Sequence, residues 1–157
     1  MPIRKLEKQD LPEIIKLVRE TGVFKESEIQ VAQELLEIAV ENPDQKDYII
    51  YSYVTENGTI AGYYCCGPTP MTMSTFDLYW IAVSPAVHGT GVGSELLRFA
   101  EKHIRAKGGR LLIAETSSTP KYEKTRAFYE RKGFEQRACI KDYYKSGDDL
   151  IIYGKYL

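Results

Sequence analysis

No apolar run in the sequence approaches the ~20 residues that a membrane-spanning helix needs, and the longest hydrophobic segments are broken by polar side chains. The N-terminal stretch Met1-Pro2-Ile3-Arg4-Lys5-Leu6-Glu7 lacks the apolar core and cleavage site of a secretory signal. A cytoplasmic protein with no membrane partner is therefore expected. Charge of one sign is missing as well. The 21 basic and 22 acidic residues give a formal charge of −1, which argues against a dedicated nucleic-acid binder. Cysteine is scarce: Cys65, Cys66 and Cys139 are an odd number without metal-ligand spacing, so buried or half-buried free thiols are expected, with no metal. Cys65 and Cys66 are adjacent in a predicted strand, where their side chains point to opposite faces. Repeats, low-complexity stretches and linkers are absent too.

What remains is ordinary in bulk and unusual in one respect. A chain of 157 residues, 43% hydrophobic and 27% charged, is the size of one domain, taken as residues 1–157. At this length roughly 68–70% of the unfolded surface can be buried, so a core needs no covalent staples. The unusual count is tyrosine, at 12 residues against five Phe and one Trp. An apolar ring with a polar tip serves packing, a ligand cleft or a partner surface equally well.

The apolar spacing and turn residues set out the elements. Ile3 to Leu6 reads as a first strand. Asp10-Leu11-Pro12-Glu13 has the make-up of a capping box with Pro in the first turn, and Leu11, Ile14, Ile15 and Val18 form the stripe behind it. Ser27 and Gln30 suggest a second capping box before Ile29, Ala32, Leu35, Leu36 and Ala39, with a stop at Asn42-Pro43. Tyr48 to Val54 and Ile60 to Cys66 form a hairpin around Asn57-Gly58, and Thr75 to Val83 is the next strand. Strand and helix then alternate. A helix carries Val92, Leu96, Phe99, Ala100 and His103 on one face and closes at Gly108-Gly109. Arg110 to Glu115 is a strand, and Tyr122 to Lys132 a helix stopped by Gly133. Phe134 to Tyr144 and Leu150 to Tyr156 are closing strands. The order β-α-α-β-β-β-α-β-α-β-β predicts an α/β (α+β) fold with an antiparallel first half and a crossover in the second.

The segment richest in chemistry runs from Trp80 to Leu97, where a strand ends, a Gly-rich turn follows and an amphipathic helix begins. Unpaired amides at a helix start, the helix dipole and glycines that admit close approach together make an anion cradle. The plainer reading is a helix start that needs a tight turn. Two familiar phosphate motifs fail. No Lys follows Gly93 as a nucleotide P-loop requires, and Gly89, Gly91 and Gly93 do not have the G-x-G-x-x-G spacing of a dinucleotide fold. The spacing Q/R-x-x-G-x-G/A does fit, read as His88-Gly89-Thr90-Gly91-Val92-Gly93 after a strand ending in Val83-Ser84-Pro85. With it stands Ala127-Phe128-Tyr129-Glu130-Arg131-Lys132-Gly133-Phe134, matching a late helix that ends in F-Y-x-x-x-G-F. On these two motifs the sequence resembles the GNAT superfamily of acetyl-CoA-dependent N-acetyltransferases, and the order of elements extends the resemblance over essentially the whole chain. The implied fold is a mixed, mostly antiparallel sheet of about seven strands flanked by four helices.

The resemblance implies acetyl transfer from acetyl-CoA to a primary amine, direct and within a ternary complex, with no metal. Backbone at Ile81, Ala82 and Val83 would face the acetyl oxygen. The pyrophosphate would lie on His88, Gly89, Thr90, Gly91, Val92 and Gly93, with Ser94 in the first helical turn. His88 stands where the family carries Gln or Arg. Tyr122 and Thr125 stand where it often carries Asn and Ala, and Tyr122 is a candidate substitute contact to the cofactor. Tyr129 matches the family's general acid, since a phenol of pKa ≈ 10 holds its proton at neutral pH; its plainer role is core packing. For the general base, Asp77 and Glu115 compete. Asp77 lies six residues before Val83, where the histone-acetylating branch carries Glu, and Asp is uncommon inside strands; a surface carboxylate near a strand start explains it as simply. The Lys141 to Leu150 segment partly resembles the loop of members that acetylate peptide α-amines, with Tyr143 and Tyr144 as candidate acceptor contacts, and a Tyr-rich hairpin explains it equally. The acceptor is thus a small-molecule amine or a peptide N-terminus, and a homodimer is compatible with the family. Two other classes stay open: a non-catalytic CoA-binding regulatory domain and a nucleotide-binding module.

Overall fold

The computed structural model describes residues 2–157. Its elements follow the predicted order: β1 (Ile3–Lys5), α1 (Leu11–Glu20), α2 (Glu26–Glu41), β2 (Ile49–Val54), β3 (Ile60–Pro68), β4 (Thr75–Val83), α3 (Val92–Ala106), β5 (Leu111–Ser117), α4 (Glu123–Arg131), β6 (Glu135–Lys145) and β7 (Asp148–Tyr156). The seven strands make one sheet in the order β1-β2-β3-β4-β5-β7-β6. Every neighbouring pair is antiparallel except β4 and β5, which α3 joins as a crossover and which run parallel. This is the mixed, mostly antiparallel sheet with four helices that the sequence predicted.

Each face of the sheet carries two helices. Ile14, Leu17 and Val18 of α1 and Ile29 and Leu36 of α2 pack on Ile50, Ile60, Tyr63 and Cys65. On the other face Leu96, Leu97, Ala100 and Ile104 of α3 and Tyr129 of α4 pack on Tyr64, Cys66, Leu78, Leu112 and Tyr153. The strand period of two places Cys65 and Cys66 in opposite layers, as predicted, and both are buried. The expectation of a shielded thiol fails at Cys139, which is exposed. It lies on β6, an edge strand exposed along its whole length.

Both helix starts differ from their capping predictions. Asp10 does not cap α1; its buried carboxylate takes the Arg4 guanidinium at 2.8 and 2.9 Å and the Glu7 amide at 2.9 Å. Glu13 is engaged elsewhere too, accepting from the Ile60 amide and so tying α1 to the start of β3. The second helix begins at Glu26, where the Lys25 amide donates to Glu28 Oε1 at 3.0 Å instead of a Ser27–Gln30 box forming. At α1 both acids of the predicted box are thus engaged elsewhere, and at α2 a carboxylate outside the predicted box, Glu28, takes the N-cap amide.

One irregularity shapes the rest. Cys65 pairs with Trp80 and Cys66 with Leu78, so Tyr79 is an extra residue in β4. Such a bulge bends its strand and shifts the alternation of side chains. Leu78 therefore packs with α3 and α4, while Trp80, two residues on, packs with α1 and α2.

Candidate active site

The parallel pairing of β4 with β5 runs only from Thr75↔Leu111 to Leu78↔Ala114. Beyond it, β4 continues beside β3 as far as Val83, and β5 continues beside β7 as far as Ser117. The two strands part, leaving one edge of β4 from Tyr79 to Val83 without a strand partner and its outward amides facing the gap. A cavity of about 290 Å³ fills this gap, walled by Tyr79, Trp80 and Ile81 on one side and Glu115, Thr116 and Ser117 on the other. Phe24 just before α2 and Glu28 in its first turn cover one end, and Tyr122, Tyr129, Tyr144 and Asp148 complete the wall.

The Gly-rich turn lies where β4 ends and α3 begins. Gly89 and Gly91 have φ of 78° and 95°, a region that L side chains avoid, so this path needs glycine. Among the described residues no backbone or side-chain group accepts from the amides of Gly89, Gly91, Val92, Gly93 and Ser94, whereas the His88 and Thr90 amides turn inward to Pro85 and Val87. Five free amides at the positive end of a 15-residue helix form an anion cradle. A Cβ on Gly93 would stand 3.3 Å from the Phe128 ring and 3.5 Å from Val83, so the small residue lets α3 start close against α4. The His88 ring is not free: its Nε2 lies 2.9 Å from the Val83 carbonyl, which requires that nitrogen to donate. His88 thereby braces the turn against the end of β4.

Tyr129 projects from α4 into the cavity and is 5% exposed. Its ring packs on Phe128, Phe134 and Tyr153. Among the described residues its hydroxyl has no hydrogen-bond partner, and burial alone pushes its pKa above that of a free phenol. Glu115 opens onto the cavity from β5, and its carboxyl is held above its ordinary value by partial desolvation and by the nearby Asp77 carboxylate. Asp77 lies on the same sheet face one turn of the pleat away, opposite Ile113. It accepts from Thr69 Oγ1 at 2.8 Å and is not part of the cavity wall. The structure thus brings one of the two candidate bases, Glu115, to the gap.

The hairpin of β6 and β7 reaches over the same opening. Its turn is Ser146-Gly147, but residues 141–144 are out of register with β7. Asp149 Oδ1 accepts from the Asp142 amide at 2.9 Å, Lys141 reaches Asp149 at 3.2 Å, and Asp142 Oδ1 accepts from the Gly147 amide at 2.8 Å. These bonds hold up a swelling of the strand that carries Tyr143 and Tyr144 in a T-shaped pair, 5.0 Å between centroids. Tyr144 reaches the cavity wall; Tyr143 stands outside it. Beneath them the Ser117 hydroxyl donates to the buried Asp148 carboxylate. Arg126 of α4 donates to the Ser117 and Thr119 carbonyls at 2.7 and 2.8 Å, fixing the end of β5.

Of the remaining predicted residues, Ile81 lines the gap, Ala82 is buried towards α1 and α2, and Val83 packs towards α3. Tyr122 lines the cavity, and its hydroxyl donates to Glu28 Oε2 at 3.3 Å. Sequence reasoning missed Phe24, Glu28, Trp80 and Asp148 as wall residues. Only Asp148 carries a sequence signal, as an acid within the Tyr-rich segment from Lys141 to Leu150.

Residues 46–136 match the family model of the GNAT acetyltransferase domain. The chain belongs to the GNAT family of acetyltransferases. A solved GNAT-family structure from Desulfovibrio desulfuricans is 44% identical, with a TM-score of 0.90 over 98% of this chain and 97% of that one. Two more distant structures share the fold. An aminoglycoside 6'-N-acetyltransferase complexed with coenzyme A is 17% identical, with a TM-score of 0.77 over 99% and 97% of the two chains. The ribosomal-protein-S18-alanine N-acetyltransferase of Escherichia coli is 24% identical, with a TM-score of 0.75 over 98% and 92%. No curated protein matches the chain by sequence. Among the described residues, no helix of this GNAT domain is long and apolar enough to cross a membrane.

Proposed function

We propose that this protein acetylates a primary amine directly from acetyl-CoA. The observation that carries the reading is a free-amide cradle where β4 ends, on the same strand whose parting from β5 opens a cavity lined by a buried unpartnered phenol and a carboxylate of raised basicity. The donor set suits a coenzyme A pyrophosphate. The amides of Gly89, Gly91, Val92, Gly93 and Ser94 are unpaired, and a side chain at Gly89 or Gly91 would meet an unfavourable φ. These amides hold the diphosphate without a basic surface, while the outward amides of Ile81 to Val83 offer donors to an acyl oxygen. Acetyl-CoA, when bound, supplies the acetyl group as an activated thioester.

The chain's own residues do the rest. Glu115 takes the proton from an incoming ammonium at a carboxylate oxygen; partial desolvation and the Asp77 charge make it a stronger base than a free Glu. Tyr129 keeps its proton at the phenol oxygen across the physiological range and presents it to the cavity as a donor. Trp80, Phe24 and the tyrosines of the wall make the sides of the space between these two groups largely aromatic. That Tyr129 and Glu115 face one cavity supports turnover over a purely regulatory CoA-binding role.

A panel of amine acceptors incubated with acetyl-CoA, read by release of free thiol, tests the proposal. Thiol release that depends on both amine and protein is expected. Absence of thermal stabilisation by CoA would overturn it.

A further inference from the structure

The acceptor end of the cavity holds more negative charge than the transfer of one proton requires. Three carboxylates line it, from Glu28, Glu115 and Asp148, against one ammonium, that of Lys25. They fall into two groups. Glu115 stands beside Asp77. Glu28 and Asp148 stand together at the other side, where burial first and then the Glu28 and Asp148 charges raise the Tyr122 phenol. Tyr144 lies between the groups. Burial, followed by the charges of Glu115, Asp148 and Glu28 among its neighbours, pushes its pKa up to about 12. The second group is fixed in place. Glu28 accepts from the Lys25 amide at 3.0 Å and from the Tyr122 hydroxyl at 3.3 Å, and Asp148 accepts from Ser117. A held carboxylate loses little freedom on pairing with a cation. Between the groups the wall is aromatic: Trp80 packs on Phe24 at 4.7 Å between centroids, and Phe24 meets Tyr122 edge-on. Such faces accommodate both methylenes and ammonium groups. The nearly buried Tyr129, whose hydroxyl no protein group satisfies, marks the same space as a ligand site.

We infer that the acceptor is a primary amine carrying a second cationic group on an apolar linker, the reacting amine lying at Glu115 and the second cation between Glu28, Asp148 and the Tyr144 ring. This rests on the acetyl-transfer reading for the role of Glu115, while the second-cation subsite rests on the wall itself. Amino acids and other acceptors with a carboxylate at the far end would meet Glu28 and Asp148 as like charges, which disfavours them.

The test uses three probes with the same four-carbon chain: putrescine, butylamine and γ-aminobutyrate, which end in a cation, a methyl group and an anion. Binding of each is measured by calorimetry on the intact protein with CoA present, and acetylation by thiol release from acetyl-CoA. Putrescine is expected to bind about tenfold more tightly than butylamine, equivalent to ~1.4 kcal/mol, with γ-aminobutyrate weakest. Glu28→Gln, which keeps an acceptor oxygen for the Lys25 amide and can donate its NH2 to the Tyr122 hydroxyl oxygen, is expected to shrink the putrescine-to-butylamine ratio severalfold. Raised ionic strength shrinks it in the unmodified protein, which covers the case of a misfolded variant. Equal binding of putrescine and butylamine, preference for γ-aminobutyrate, or no binding of any probe would overturn the inference. Failure of the acetyl-transfer reading is a separate result: ordered binding in the calorimeter without thiol release for any amine.

Discussion

Replacing Tyr129 with Phe separates a catalytic phenol from a packing ring, because the two roles move stability and rate differently. The ring contacts with Phe128, Phe134 and Tyr153 involve carbon atoms that Phe retains. The hydroxyl has no protein partner among the described residues, so no hydrogen bond is lost. Removing a largely buried polar group without a partner relieves its desolvation, partly offset by the cavity water it can reach. The net effect lies between zero and about +1 kcal/mol. For a chain of 157 residues that is a rise in Tm of at most ~2–4 °C. Loss of a general acid costs about 10²–10⁴ in rate. The expected variant is therefore as stable as the parent or slightly more so, and slower by at least two orders of magnitude in thiol release at saturating acetyl-CoA. Differential scanning fluorimetry and steady-state kinetics on one preparation read both quantities. A variant destabilised by more than ~1 kcal/mol with kcat unchanged would refute the reasoning and make the hydroxyl structural.

Three further outcomes follow from the geometry. The pH profile of kcat/KM is expected to fall on the acid side at a midpoint above the ordinary Glu value; Glu115→Gln removes that limb, whereas Asp77→Asn moves its midpoint down by removing the neighbouring charge. Gly62→Ala is expected to cost about 1–3 kcal/mol in urea unfolding at unchanged m-value, because its Cβ would stand 2.9 Å from the Ala82 carbonyl oxygen and 3.0 Å from Leu96. Burial alone would raise the Asp10 pKa, but the Arg4 pair and the Glu7 amide outweigh it and hold the carboxyl below its ordinary value. The stabilisation carried by this shift is therefore present above the unfolded pKa near 3.9 and lost as pH falls through the lower folded value. Asp10→Asn should flatten the loss of Tm on acidification in that window.

The order of elements was legible because each carries its own periodicity and punctuation. Alternating β-branched and aromatic residues in Tyr48 to Val54, the stripe from Val92 to His103, and glycines at 58, 108 and 133 are local signals. The Gly-rich turn was legible for the same reason, since helix start, strand end and glycines are adjacent in sequence. What stayed hidden depends on partners far along the chain. Asp10 looks like a cap until Arg4 on β1 takes its carboxylate. Glu28 becomes a cavity wall only when α2 meets Tyr122, 94 residues later. The choice between Asp77 and Glu115 turns on where β4 and β5 separate, and their pairing ends without a Gly or Pro to announce it. Cys139 looks shielded in a strand because sequence does not reveal that β6 forms the outer edge.

The single unpaired residue in β4 imposes a constraint on length rather than on identity. A pleated strand counts residues in twos, and the one extra position is what lets Leu78 and Trp80 face opposite layers while β4 bends between them. Exchanging Tyr79 for another residue alters one side chain. Deleting it would leave Trp80 directly after Leu78 and still opposite Cys65, so Trp80, Ile81, Ala82 and Val83 would keep their layers, but β4 would lose the bend at the point where its pairing with β5 ends and the gap opens. Within this short stretch the chain can vary in spelling but not in number, and single-residue deletion scanning should find its sharpest loss of function there, while the β3–β4 loop at Met71 to Met73, fully exposed, tolerates the same change.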